Sequence, residues 1–230
     1  MELWNRYTTS GDAGQRRPTT SVELGPTNVD GLDRRLLGDV ANQRILELGA
    51  GVGHSSIALA KQGARVVAID PDFNDSEMIR AAAEVAKVHV EVHQTDLADL
   101  AFLQADTFDT VLSIHSLASV SDVGRVFRQV HRLLKSDRPL VISLPHPATL
   151  MIDRQDRRTI STSYDETEPL GAGHHLTYRH GIAHIFTQLT RSNYRVDTLI
   201  EPIGGESDED GIDVPRVPSS VIFRARKIGT

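Results

Sequence analysis

The chain has no cysteine, which removes disulfides, thiolate metal sites and cysteine nucleophiles from consideration. It also lacks any run approaching the ~20 apolar residues of a membrane span. Its first residues, Met1-Glu2-Leu3-Trp4-Asn5-Arg6-Tyr7, carry no apolar signal core, so the expected location is the cytoplasm, without membrane partners. No Lys/Arg cluster is present and the net charge is -6, which disfavours a phosphate backbone as partner. A small-molecule substrate is expected instead, handled by a monomer or homodimer. With 230 residues, 39% of them hydrophobic, the chain can bury one substantial α/β core.

The most informative stretch is Arg44-Ile45-Leu46-Glu47-Leu48-Gly49-Ala50-Gly51-Val52-Gly53-His54, followed by Val66-Val67-Ala68-Ile69-Asp70. It reads as an apolar strand, a turn with glycine at every second position, a helix, and a second strand ending in a carboxylate. Such a unit holds a nucleoside-containing cofactor at the edge of a parallel sheet. Glycine at 49, 51 and 53 permits positive φ and removes Cβ atoms that would block a ligand. Asp70, 21 residues after Gly49, stands where a strand-end carboxylate accepts hydrogen bonds from ribose hydroxyls. A dinucleotide fingerprint anchored on Gly49 and Gly51 would place its third glycine at 54, where the chain has His54. The acidic Glu47 suits a cationic sulfonium better than a pyrophosphate.

The rest of the chain predicts a doubly wound, mostly parallel sheet with right-handed crossovers. Residues 1–26 read as an N-terminal lid or leader with Trp4 and Tyr7 as anchors. The domain proper is expected over 27–230, beginning with a helix over 27–40. Strands are expected at 44–48, 65–69, 88–93, 108–114 and 140–144, with helices at 54–62, 76–87 and 121–134. Residues 146–180 lose the pattern and read as a substrate-side insertion. A helix at 182–192 and two strands at 194–200 and 220–225 follow. Those strands are joined without a helix, which predicts an antiparallel closing hairpin.

Glu47-Leu48-Gly49-Ala50-Gly51-Val52-Gly53 resembles the signature loop of class I S-adenosylmethionine-dependent methyltransferases, and the hairpin is a feature that family adds to its sheet. Two further blocks are similar to the family: Gln94-Thr95-Asp96-Leu97 after the third strand, and Phe108-Asp109-Thr110-Val111 leading to Ser113-Ile114-His115-Ser116. The likeness covers roughly residues 27–225 and is closest to the small-molecule, methyltransferase 11-like group. It implies a seven-stranded Rossmann-like fold with S-adenosylmethionine as cofactor and S-adenosylhomocysteine as product. It further implies cofactor contacts from Glu47, Gly49, Ala50, Gly51, Gly53, Asp70, Pro71, Asp96, Leu97, Ile114 and His115, with Asp96 receiving the adenine amino group. The family's glycine-bearing turn after the fourth helix is replaced by Leu134-Lys135-Ser136-Asp137-Arg138, and the segment after Asp70 is longer than usual.

His115 and His146 are the candidate bases for a hydroxyl acceptor, and His146, Tyr164, His175 and Tyr178 the candidate substrate contacts. Each has a plainer reading: His115 as a loop hydrogen-bonder, Pro145-His146-Pro147 as a rigid chain reversal, the others as solvated loop residues. No metal is expected, because the His, Asp and Glu spacing within the insertion matches no recurring site. The expected reaction is methyl transfer from S-adenosylmethionine to an O, N or C nucleophile of a small metabolite. The competing readings are a regulatory or structural S-adenosylmethionine-binding protein without transferase activity, and an NAD(P)-dependent oxidoreductase, which would lack the closing hairpin.

Overall fold

Strand β1 (Arg44–Leu48) alternates its side chains between two buried faces, with Leu46 and Leu48 on one and Ile45 and Glu47 on the other. A strand covered on both sides belongs at the centre of a parallel sheet. In the computed structural model, which describes residues 20–26, 32–153, 159–171, 176–203 and 217–229, it pairs in parallel with β2 (Arg65–Asp70) and with β4 (Thr110–Ile114). Strand β3 (Val90–Gln94) extends the sheet beyond β2, and β5 (Pro139–Pro145) beyond β4. Strand β7 (Ser220–Lys227) lies antiparallel between β5 and β6 (Tyr194–Ile200). The sheet order is β3-β2-β1-β4-β5-β7-β6. The expected closing hairpin is therefore present, with β7 inserted next to β5.

Helices α1 (Leu32–Leu37), α2 (His54–Lys61) and α3 (Phe73–Ala86) cover one face. Their Leu36, Ile57, Leu59 and Ile79 pack with Ile45, Val66, Leu112 and Ile222. Helices α4 (Val123–Leu133) and α5 (Ile182–Arg191) cover the other, where Phe127, Val130 and Ile185 meet Leu46, Val67, Val111 and Phe223. The sheet order reverses between β1 and β4. Their carboxyl ends therefore open the crevice in which sheets of this type bind ligands.

Several boundaries differ from the sequence expectation. Helix α3 starts at Phe73 rather than 76, because Asp72 caps it by accepting from the amides of Asn74 and Asp75. It closes with Lys87 in the left-handed region and Val88 N–H bonded to Ala83, which delays β3 to Val90. Phe108 makes only an isolated bridge with Leu134, so β4 begins at Thr110. Val22 and Leu24, expected to belong to the leader, are buried against the α1 face, and the Ser143 hydroxyl donates to the Leu24 carbonyl. Trp4, Tyr7 and His175 lie outside the described residues.

Candidate functional site

The turn after β1 carries φ of +68°, +53° and +84° at Gly49, Gly51 and Gly53. All three lie in the left-handed region that disfavours a Cβ. The Gly49 and Ala50 amides both donate to the Ile69 carbonyl at the end of β2, so the turn is tied to the neighbouring strand. A Cβ on Gly49 would lie 2.0 Å from Cβ of Ser116, and one on Gly53 would lie 3.1 Å from Cγ1 of Ile79. This corrects the expectation that the missing Cβ atoms clear space for a ligand. At 49 and 53 that space is filled by the protein's own side chains, which draw the β4 turn and α3 against the loop.

Asp70 stands at the crevice edge with both carboxylate oxygens engaged. Oδ2 accepts from the Gly51 amide at 2.8 Å, and Oδ1 from the Asp72 amide at 2.9 Å. Burial raises its pKa, and these two amides oppose the rise. Glu47 points from β1 to α2, where the Ser56 hydroxyl donates to its Oε2. Burial pushes its carboxyl up to about 7, against the Ser56 hydrogen bond and with help from the Asp70 charge. A third carboxyl, which the sequence reading passed over, belongs to Asp75 in the first turn of α3. It is buried, and burial together with the charges of Asp70 and Asp72 pushes it up to about 7. Its Oδ1 and the adjacent Ser76 hydroxyl have no hydrogen-bond partner. The segment after Asp70 is not lengthened as the sequence suggested, because Asp72 caps α3 only two residues after β2 ends and so places Asp75 in its first turn.

After β3, Asp96 is exposed and its Oδ1 accepts from the Ala98 amide at 2.7 Å, a local turn. Leu97, expected beside the cofactor ring, is instead buried with Leu46, Leu48, Val67 and Ile69. Pro71 is exposed between the two capping aspartates, while Ala50 and Ile114 are each 8% exposed.

The carboxyl end of β4 turns through His115 at φ +60° into a short 3-10 segment, Ser116–Ser119. Ser116 donates to the Leu48 carbonyl and shares a 2.7 Å hydrogen bond with Ser113, binding the β4 exit to the start of the glycine turn. The His115 ring is buried, with Nε2 3.0 Å from the Ser220 hydroxyl. His146 is also buried, and its amide donates to the carbonyl of neighbouring Ser219. The start of β7 thus brings the two histidines to one stretch of the sheet edge. The His146 Nδ1 accepts from the Ala148 amide at 3.2 Å, so Nε2 carries the proton and donates to Glu201, 2.7 Å away. Neutral His146 therefore has no ring nitrogen open to a proton, and a base role requires the Ala148 bond to break.

The end of the insertion folds back on the same edge. The Tyr178 amide donates to Ala118, His180 Nε2 lies 2.9 Å from the Val120 carbonyl, and the His180 ring stacks between Tyr178 and His184. Burial lowers the pKa of His180. Tyr164 is half exposed, its ring lies against Gly181, and its hydroxyl accepts from the Ile182 amide. Among the described residues, no three His, Asp or Glu side chains converge as metal ligands would.

Residues 46–142, which contain the glycine turn, Asp70, Asp96 and β4, match the sequence model of the methyltransferase domain family. These residues resemble a methyltransferase domain. An S-adenosylmethionine-dependent methyltransferase from Mesorhizobium loti shares the fold, with a TM-score of 0.73 at 23% identity over 84% of this chain and 95% of that one. A magnesium protoporphyrin IX methyltransferase from Synechocystis, solved with S-adenosylhomocysteine bound, has a TM-score of 0.58 at 22% identity over 83% of this chain and 76% of that one. The ubiquinone biosynthesis O-methyltransferase of Xanthomonas oryzae pv. oryzae is 33% identical over 120 residues, 52% of this chain and 49% of that protein. The chain thus matches about half the length of such curated relatives. The matched residues carry the glycine turn, Asp70 and the β4 exit. The insertion and the β6–β7 side lie outside the matched residues.

Proposed function

We propose that this chain transfers the methyl group of S-adenosylmethionine to a nucleophile of a small metabolite, and that the nucleophile is a hydroxyl oxygen. The observation that carries the reading is the Asp70 carboxylate held on the Gly51 amide, which fixes the ribose-binding group and the glycine turn as one rigid unit. Glu47 and Asp75 both lie close enough to Asp70 to feel its charge, and a cationic sulfonium ligand suits such an acidic corner where a pyrophosphate would not. The unpartnered Oδ1 of Asp75 and hydroxyl of Ser76 suit a ligand with hydrogen-bonding groups at this position. The name of the Xanthomonas relative supports oxygen as the acceptor atom.

When bound, S-adenosylmethionine supplies an electrophilic methyl on sulfur. The chain's part is largely to position: acceptor and methyl must be held in line at near-attack distance, which is where most of the acceleration arises. Asp70 holds the ribose, Asp96 the adenine amino group, and the glycine turn offers its main chain to the rest. His115 lies at the β4 exit, toward the acceptor side, and is the nearer candidate for taking the hydroxyl proton. Paired with Glu201, His146 anchors the β5 exit to the β6–β7 side. Tyr164 and Tyr178 belong to the acceptor wall, His175 is an acceptor contact by its place in the sequence alone, and the protein works in the cytoplasm as a monomer or homodimer.

Isothermal titration with S-adenosylhomocysteine, and NADH in parallel, tests the cofactor. Micromolar binding of the first alone supports the reading, while NADH binding alone, or no binding, overturns it. Transfer of a labelled methyl to panels of phenols, alcohols, amines and carbon acids then tests the acceptor. Turnover confined to amines would overturn the hydroxyl assignment.

A further inference from the structure

Asp75 and Ser76 open the buried stripe of α3 that continues through Ile79 and Ala83. In a helix that only packs, the first turn of such a stripe would be apolar like the rest. Here it is a carboxyl and a hydroxyl, 6% and 0% exposed, each with a polar atom lacking a hydrogen-bond partner. Groups buried in this way cost free energy unless something satisfies them, and two in succession call for an explanation.

The position of the pair supplies one. Ile79, one turn after Asp75 on the same face, packs under Gly53. Asp75 therefore stands on the face of α3 that meets the glycine turn, close enough to Asp70 and Asp72 to feel both charges. Asp70 has already given one acceptor position on each oxygen to a protein amide. Each Asp70 oxygen keeps one further acceptor site, and a second carboxyl near the first offers a ribose, which brings two hydroxyls to this corner, a separate partner for one of them.

We infer that Asp75 is a second sugar-binding residue, hydrogen-bonding one ribose hydroxyl of the nucleoside cofactor while Asp70 takes the other. The inference rests on the cofactor reading given above. It explains why a buried carboxyl is retained where an apolar residue would stabilise the fold.

Titration of the full chain with S-adenosylhomocysteine and its 2′-deoxy and 3′-deoxy analogues tests it. Asp75→Ala should weaken S-adenosylhomocysteine binding about tenfold and leave the melting temperature unchanged or raised. In that variant the penalty for one of the two deoxy analogues should vanish, because hydroxyl and partner belong to one bond. Asp75→Asn, which keeps a donor and an acceptor, should stay within about threefold of the parent. Equal affinities of the parent and Asp75→Ala overturn the inference alone. So does a fall in affinity accompanied by a lower melting temperature and intact penalties for both deoxy analogues, the signature of a merely structural residue. No binding of S-adenosylhomocysteine to the parent protein overturns the cofactor reading and this inference with it.

Discussion

The Gly51 amide donates to the Asp70 carboxylate at 2.8 Å, across 19 residues of sequence. This bond joins the turn after β1 to the end of β2. The two elements of the cofactor motif are therefore mechanically one, and a change at either should be felt by the other.

Asp70→Ala removes the acceptor for the Gly51 and Asp72 amides together with the proposed ribose contact. We expect S-adenosylhomocysteine affinity to fall roughly 10- to 100-fold, the scale of charge-assisted hydrogen bonds. Calorimetric titration checks it, and an unchanged dissociation constant would remove the basis of the cofactor assignment.

Gly49→Ala meets two obstacles at once. The backbone stands at φ +68°, and the new Cβ would overlap Ser116 at 2.0 Å. The expected destabilisation is roughly 2–5 kcal/mol, from left-handed backbone strain and forced repacking. Adding Ser116→Gly removes the collision but not the strain, so the double variant should recover part of the loss. Urea unfolding of the two proteins measures the difference. A Gly49→Ala protein as stable as the parent would contradict the packing described.

Glu47 gives a stability that depends on pH. Its folded-state pKa is raised from 4.5 to about 7, so between those values the folded protein holds a proton that the unfolded chain has released. Stability contributed by this group therefore falls as pH rises through that window. Glu47→Gln, which keeps an acceptor for Ser56, lacks the fall. Its advantage over the parent should be absent below pH 4.5 and grow to about 3 kcal/mol above pH 7. Unfolding curves at pH 5 and pH 8 decide it.

Asp109 is expected to behave in the opposite sense. Burial acts against its charge, but the Lys135 hydrogen bond at 2.7 Å, the Arg44 amide and the Lys135 and Arg138 charges outweigh burial and lower its pKa. The stability it contributes is present above about pH 4, the unfolded carboxylate range, and lost as pH falls through the lowered folded value. Asp109→Asn should cost about 1–3 kcal/mol at pH 7. It should leave S-adenosylhomocysteine affinity unchanged, because Asp109 sits beside Arg44 at the opposite end of the sheet from the glycine turn.

The sheet was legible because period-two and period-3.6 patterns are local properties of the chain. Strands β1, β2 and β6 fall within a residue of the expected ranges. The glycine turn and Asp70 were legible for a related reason, since strand, turn, helix and strand-end carboxylate are consecutive and their spacing encodes their geometry. Long-range contacts were not. Ser116 explains Gly49 only once β4 lies beside β1. Ser220 and Glu201 meet His115 and His146 only once β7 slots next to β5. Leu97 looked like a ligand contact and is core, and Val22 and Leu24 looked like leader and are core. Nothing in the sequence distinguished Asp75 from the capping aspartates around it. The sequence by itself determined the element order and the cofactor motif, because both are written in local spacing. Only the tertiary structure decided which polar groups are satisfied and which stand buried without a partner, because hydrogen-bond partners are supplied by residues distant in the chain.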